Sequence, residues 1–215
     1  MGQQDWYRRT TWTRRDQDEF AARLARSRSA FNKAQYLRIQ ALSLQQAGGR
    51  GRLLAALSLL DELVGLYPDE LSLGTALLQR AECLEQLGRT DEAIDAYRGS
   101  LDAQRANPTV RDGAYLGYAA LVVTRLRRLD LYVEVLAVLE EFGGGEVFPV
   151  QQYRYNALRA FILSELGRYL EAREAAILAL AASAKKESPF RYHRGLGIVT
   201  NPEVVLQKRL ERIAR

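Results

Sequence analysis

Apolar residues recur along this chain at the spacing of an amphipathic helix, and the arrangement returns at a nearly constant distance. Leu37, Ala41 and Leu44 form one stripe, and similar stripes lie within 77–84, 116–123 and 160–163. Residues spaced i, i+3, i+4 and i+7 share one face of a helix, so each stripe predicts a helix that buries one side. No segment sustains the two-residue alternation of a strand, and the pattern predicts an all-α protein.

A short break and a second apolar helix follow each of these stripes. The breaks are marked by Gly48, Gly88, Arg127 and Gly167, which lie 40, 39 and 40 residues apart. Two of them carry nearly the same heptapeptide, Leu-Gly-Arg-Thr-Asp-Glu-Ala in 87–93 and Leu-Gly-Arg-Tyr-Leu-Glu-Ala in 166–172. Self-similarity at a fixed period is typical of stacked helical hairpins. We predict four such hairpins, with Arg127 at the position that glycine occupies in the others.

Two of the hairpins resemble the tetratricopeptide repeat. In residues 74–101, Ala81, Gly88 and Ala93 stand where that repeat has small residues for close helix packing, and Tyr97 stands where it has a seam aromatic. Residues 153–180 carry a similar set. The resemblance implies a right-handed superhelical solenoid of about four TPR-like repeats with a capping C-terminal helix. Solenoids of this kind act as binding scaffolds, so it also implies a protein–protein interaction adaptor.

The resemblance further implies where a partner binds, because the first helix of each hairpin lines the concave groove in that family. Residues one turn away from the packing stripe should then face a bound segment of another protein. They mix amide, charged, apolar and aromatic side chains, which suits a peptide or helix better than nucleic acid. These residues are Gln35, Arg38, Gln45, Leu78, Glu82, Glu85, Tyr118, Arg125, Arg154 and Phe161. One form of such an adaptor is a neutralising, immunity-type partner of a toxin, and another is a chaperone.

The repeats occupy residues 33–186 and leave a segment at each end. Residues 1–32 form a basic aromatic arm and a helix, for which Thr13 and Asp16 are candidate capping residues. The sequence around Trp6 and Trp12 interleaves aromatic and arginine side chains, which could stack on bases or grip phosphates. The same side chains could form a lid over the first hairpin. The need to cap a terminal repeat favours the lid.

Residues 187–215 form a basic loop and a last helix, which we expect to begin at Asn201. Arg191, His193 and Arg194 are candidate ligands for a phosphate or carboxylate, because basic clusters bind such anions. The alternative is that the loop packs beside the last helix and closes the solenoid.

Charge is distributed unevenly along the 215 residues, whose net charge is +5. Residues 1–52 carry a net +7, residues 53–184 a net −7, and residues 185–215 a net +5. Basic ends permit nucleic-acid binding, the main alternative to the scaffold, and steep salt dependence would identify it. Basic ends could also meet the acidic middle of a second copy, which would produce a homo-oligomer.

Few groups in this composition could perform catalysis. One histidine and one cysteine are too few for the usual zinc site, and the glycine-rich segment 48–52 lacks the Gly-Lys-Ser/Thr of a phosphate loop. Cys83 has no cysteine to pair with, which fits a reducing compartment. No apolar run approaches the roughly 20 residues of a membrane span. We expect a cytoplasmic, non-enzymatic protein with no cofactor, no metal and no membrane association.

Overall fold

The computed structural model describes residues 6–215, and every regular element within that range is helical. A π-helical turn, Leu121–Leu126, continues the sixth helix, and a 3-10 turn, Leu129–Leu131, precedes the seventh. The helices are α1 (Arg14–Arg26), α2 (Ala30–Ala47), α3 (Arg50–Leu66), α4 (Leu73–Gln86), α5 (Thr90–Ala106), α6 (Ala114–Ala120), α7 (Tyr132–Phe142), α8 (Pro149–Glu165), α9 (Tyr169–Ala184) and α10 (Val204–Ile213).

The chain divides into two compact units, residues 1–114 and 115–215. In the first unit α2 packs on α3, α3 on α4, and α4 on α5. In the second unit α7 contacts the π-helical turn and α8, α8 packs on α9, and α10 packs on both α9 and α8. Consecutive helices therefore pack as adjacent pairs, which is compatible with the predicted helical hairpins.

The apolar stripes become the cores of these pairs. Leu37, Ala41 and Leu44 of α2 are completely buried, as are Leu60 and Leu63 of α3. Burying a leucine side chain contributes roughly 1.5–3 kcal/mol to folding, so each pair is held mainly by its stripe.

All four predicted break positions have a positive φ angle. The φ angle is +68° at Gly48, +75° at Gly88, +76° at Gly167 and +52° at Arg127. Arg127 is the one residue other than glycine with positive φ in the described part of the chain. Glycine adopts this conformation without a Cβ penalty and commonly ends a helix in it. The predicted equivalence of Arg127 with the turn glycines is confirmed.

The two turns that share the heptapeptide also share their hydrogen bonds. The Arg89 N–H donates to the Leu84 carbonyl and the Arg168 N–H donates to the Leu163 carbonyl, each at 2.9 Å. Each bond reaches back five residues, as in a Schellman turn. The repeated sequence therefore encodes a repeated helix ending.

The third turn reaches back one residue further. The Arg128 N–H donates to the Val122 carbonyl at 3.1 Å, a span of six residues. The additional residue is accommodated by the π-helical turn Leu121–Leu126, since a π-helix bonds i to i+5 rather than i+4.

The N-terminal arm packs on α1 and α2 from residue 6 onward. The ring centroid of Trp6 lies 5.2 Å from that of Phe20 and 4.8 Å from that of Tyr36, and Trp12 lies 5.5 Å from Phe20. Phe20 is buried beneath these rings. The described part of the arm therefore has the arrangement of the lid alternative; residues 1–5 lie outside the described residues.

Thr13 and Asp16 form the predicted cap of α1. The Thr13 backbone N–H donates to Asp16 Oδ2 at 2.8 Å, and the Asp16 N–H donates to Thr13 Oγ1 at 3.3 Å. These reciprocal bonds make a capping box. The Thr13 backbone and hydroxyl donors, followed by the Arg9 guanidinium, lower the pKa of Asp16 to about 2.

The start of the last helix differs from the prediction. α10 begins at Val204, and its N-cap position is Glu203, which makes no side-chain capping bond. Asn201 is exposed and lies before the helix, so the predicted start of the helix at this residue is wrong. Packing rather than capping holds α10, because Leu210 is completely buried and the Arg209 guanidinium donates to Glu165 at 2.7 Å.

Candidate partner-binding surface

Side chains of α2 and α4 are joined by hydrogen bonds across the seam between these two first helices. Gln45 Nε2 donates to Glu82 Oε2 at 3.0 Å, and Gln79 Nε2 donates to the Arg38 carbonyl at 3.4 Å. Near the start of α4, Gln35 Nε2 donates to Ser72 Oγ at 2.6 Å. The seam is therefore a polar surface whose side chains are held in defined positions.

Five predicted partner-facing residues lie half-buried along this seam, and we name them the α2–α4 face. Within it, the Arg38 guanidinium donates to Gln35 Oε1 at 3.3 Å. Its Glu85 carboxylate accepts from the Tyr97 hydroxyl at 2.8 Å. Half-buried side chains combine restricted motion with access to solvent, which a binding surface requires. The α2–α4 face consists of Gln35, Arg38, Leu78, Glu82 and Glu85.

Gln45 belongs to the seam but not to the accessible face. Only 8% of this residue is exposed, and its Oε1 atom has no hydrogen-bond partner. Its amide nitrogen points toward Glu82 on α4. The expectation that Gln45 contacts a partner is therefore corrected: the side chain fixes the position of Glu82 instead.

Three polar residues that build the first unit were not predicted from the sequence. Gln40, Ser72 and Gln79 are almost completely buried. A signal was available for the two glutamines, because each lies three residues after a buried apolar position, Leu37 or Ala76, and so falls inside the stripe. A polar residue in such a stripe must find a buried partner.

Two predicted residues of the second unit lie in its core. Tyr118 is completely buried and its hydroxyl donates to Glu134 Oε1 at 2.7 Å. Phe161 is 1% exposed, and the Arg209 guanidinium carbon lies 4.4 Å from its ring centroid. The expectation that these aromatic side chains face a partner is corrected. The physical reason for Phe161 is that α8 packs against α7, α9 and α10, so it buries more than one stripe.

The other two predicted residues of the second unit are accessible. Arg125 and Arg154 are exposed. Arg125 stands on the π-helical turn and Arg154 on α8. Of the four residues predicted in the second unit, the two arginines are therefore exposed, and their contact with a partner stays a prediction.

The three candidate anion ligands lie together in an exposed loop before α10. Arg191, His193 and Arg194 are all exposed. Arg194 forms an ion pair with Glu187 at 3.3 Å, and the Arg191 guanidinium lies 5.6 Å from the Tyr192 ring centroid. The loop brings the predicted residues into one short segment of surface.

The cysteine thiol is placed unfavourably for a role as a catalytic nucleophile. Cys83 is completely buried, and burial, followed by the charge of Glu82, raises the pKa of its thiol to about 12. A thiol with that pKa is protonated at neutral pH and is a poor nucleophile. Within residues 6–215, no three His, Cys, Asp or Glu side chains are grouped to hold a metal ion. None of the described helices is long and apolar enough to cross a bilayer.

Comparison with known proteins yields no relative for this chain. It matches no protein-family model, no curated protein and no solved structure.

Proposed function

We propose that this chain is a non-catalytic adaptor that binds a segment of another protein on the α2–α4 face. The observation that carries the proposal is the hydrogen-bonded seam, in particular the 3.0 Å bond from Gln45 to Glu82. A surface whose side chains are fixed before binding loses less conformational entropy when a partner arrives. A helical scaffold with such a surface is suited to holding a peptide rather than to transforming it.

The size of the face fits a peptide segment. α2 has eighteen residues and is therefore about 27 Å long. A partner segment of several helical turns, or an extended stretch of eight or so residues, spans that length. Contacts along two helices can approach the area of a weak or transient interface.

The chemistry of the face fits a polar segment with one apolar anchor. Leu78 is the apolar member, while Arg38, Glu82 and Glu85 provide charges of both signs. Charges of both signs suit ion pairs with individual partner residues and hydrogen bonds to a partner backbone. A polyanion would instead be attracted by a uniformly basic surface. We therefore expect a partner that presents an apolar side chain flanked by charged and amide groups.

The proposal also includes a tetratricopeptide-like architecture for the helix pairs. The repeated Schellman turns and the adjacent helix pairs support a tetratricopeptide-like repeat. A right-handed superhelical solenoid stays a prediction, as does a cytoplasmic adaptor of the neutralising or chaperone type.

Affinity capture with matched variants tests the proposal. Wild-type protein and an Arg38→Ala, Leu78→Ala variant are used as baits in native lysate, with and without nuclease. The control is Arg50→Ala, Leu66→Ala, which removes the same residue types from exposed positions of α3 in the same unit. We expect one stoichiometric protein with wild type and control, its loss with the face variant, and its persistence after nuclease treatment.

Three outcomes would overturn the proposal. The first is equal capture by the two variants, and the second is recovery that disappears with nuclease. The third is recovery of only the chain itself in a salt-sensitive manner, which would favour homo-oligomerisation. Circular dichroism of both variants verifies that they are folded.

A further inference from the structure

The loop before α10 is anchored at its base by a single aromatic ring. Phe148 stacks on Phe190 with 5.3 Å between ring centroids, and a Cβ at Gly197 would overlap the same ring. The Gly197 carbonyl accepts from the Val150 N–H at 2.8 Å. Phe148 is thus held between the two ends of the loop, which we name the 188–197 loop.

The 188–197 loop is also closed by its own backbone. The Ser188 N–H donates to the Arg194 carbonyl at 2.7 Å, and the His193 N–H donates to the Phe190 carbonyl at 3.0 Å. A compact surface loop with its ends close together and internal bonds is a common carrier of function. These two bonds fold the loop back on itself below its tip.

The tip of this loop is basic, aromatic and open to solvent. Tyr192 is 84% exposed, and the Arg191 guanidinium lies 5.6 Å from its ring centroid. Every residue from 191 to 196 is exposed. Arg191 and Lys186 form no ion pair with a described carboxylate, whereas Arg194 pairs with Glu187. The Tyr192 ring is exposed beside cations that have no carboxylate partner. It therefore has no role in the core of the second unit.

From this arrangement we propose that the 188–197 loop binds single-stranded nucleic acid, with a base stacked on Tyr192 and phosphates held by Arg191 and the neighbouring Lys186. Aromatic rings stack on any base, and arginine contributes both a charge and a stacking plane. The site lies outside the α2–α4 face and does not depend on it. Residues 185–215, which contain the loop, carry a net charge of +5.

Nucleic acid fits this loop better than a membrane surface does. Interfacial binding requires a sizeable apolar face in addition to cations. Here Tyr192 is 84% exposed, while Leu196 is 52% exposed and Phe190, which stacks on Phe148, is 47% exposed. These few side chains provide little area for insertion into lipid, whereas the Tyr192 ring alone is sufficient to stack one base.

Fluorescence anisotropy with labelled single-stranded oligonucleotides tests the assignment. Oligothymidylate and oligouridylate of about twelve nucleotides are titrated with the full chain between about 50 and about 200 mM salt. We expect Tyr192→Ala to weaken binding by about 5- to 150-fold, since stacking contributes about that much per base. Tyr192→Phe keeps the ring and should retain binding. The control is Tyr169→Ala, which removes another exposed tyrosine of the same unit.

The salt dependence of oligonucleotide binding supplies a second readout, which a purely structural role of Arg191 would not affect. Two phosphate contacts predict a slope of log K against log salt of about −1.4, and Arg191→Ala should reduce its magnitude by about 0.7. No binding at the lowest salt, or equal loss with Tyr169→Ala, would overturn the proposal. So would binding to vesicles that contain anionic phosphatidylglycerol in the absence of any binding to oligonucleotide.

Discussion

The side chain of Gln40 holds the backbone of Arg9 in both directions. Gln40 Oε1 accepts from the Arg9 N–H at 3.0 Å, and Gln40 Nε2 donates to the Arg9 carbonyl at 2.7 Å. The glutamine is completely buried, and the Arg9 guanidinium reaches Asp16 and Glu19 on α1. One residue of the arm is therefore tied to α2 by its backbone and to α1 by its side chain.

Gln40→Leu should destabilise the first unit. The substitution keeps the approximate volume but leaves the Arg9 N–H and carbonyl without their partners, which costs about 1–3 kcal/mol per buried group. We expect a lower melting temperature and a lower urea midpoint. Gln46→Leu, at an exposed position of the same helix, is the control and should change neither by much. Equal stability of wild type and Gln40→Leu would contradict the lid arrangement of the arm.

Asp16→Asn should destabilise the protein in a pH-dependent way. Hydrogen bonds from Thr13, and then from Arg9, lower the pKa of Asp16 from 3.8 to about 2. A carboxyl with a lowered folded pKa contributes stability above its unfolded pKa, and that contribution is lost as pH falls from about 4 to about 2. The variant should lose about 1 kcal/mol at pH 7, the usual contribution of a cap.

The difference between wild type and Asp16→Asn should then vanish near pH 2. Urea unfolding at several pH values measures it. Asp18→Asn, on an exposed residue of the same helix, serves as the comparison. A difference for Asp16→Asn that stays constant from pH 7 to pH 2 would argue against ionic capping.

Arg127→Gly should stabilise the second unit. Arg127 has a φ of +52°, a conformation that costs a residue with a Cβ about 1–2 kcal/mol. Glycine removes that cost but gains freedom in the unfolded chain, so we expect a net increase of about 0.5–1 kcal/mol. Arg127→Ala is the matched control, because it removes the guanidinium and keeps the strained backbone. If Arg127→Gly and Arg127→Ala have the same melting temperature, relief of backbone strain at this turn does not stabilise the second unit.

The Cys83 thiol should not react with an aromatic disulfide reagent at pH 8. It is completely buried and its pKa is raised to about 12, so little thiolate forms and the reagent has no access. Absorbance should report no reaction in buffer and one thiol per chain in denaturant. Gln86→Cys introduces a thiol at an exposed position of the same helix and should react at once. Rapid reaction of the native wild type would refute the burial of Cys83.

The turns could be predicted from sequence because their determinants are local. A positive φ and a Schellman bond involve only a few consecutive residues, so the spacing of Gly88 and Gly167 was enough to locate Arg127 as their equivalent. The capping box of Thr13 and Asp16 is local in the same sense.

The accessible surface could be predicted only in part, because burial depends on how many helices surround each helix. Phe161 lies on α8, which is covered by α7, α9 and α10, and a single-stripe pattern cannot reveal three neighbours. Gln45 and Gln40 look like surface residues by type, yet their partners Glu82 and Arg9 are more than thirty positions away. The start of α10 at Val204 likewise follows packing by Leu210 rather than the local signal at Asn201.

Site-specific photocrosslinking tests the central claim of a protein-binding α2–α4 face most directly. A photoreactive amino acid is placed at Leu78 in one variant and at Asp95, an exposed residue of α5, in the other. Both are irradiated in native lysate and analysed by mass spectrometry. We expect one discrete crosslinked protein from position 78, none from position 95, and loss of the crosslink when Arg38→Ala is added. Equal crosslinking from both positions, or no discrete product from position 78, would contradict the account.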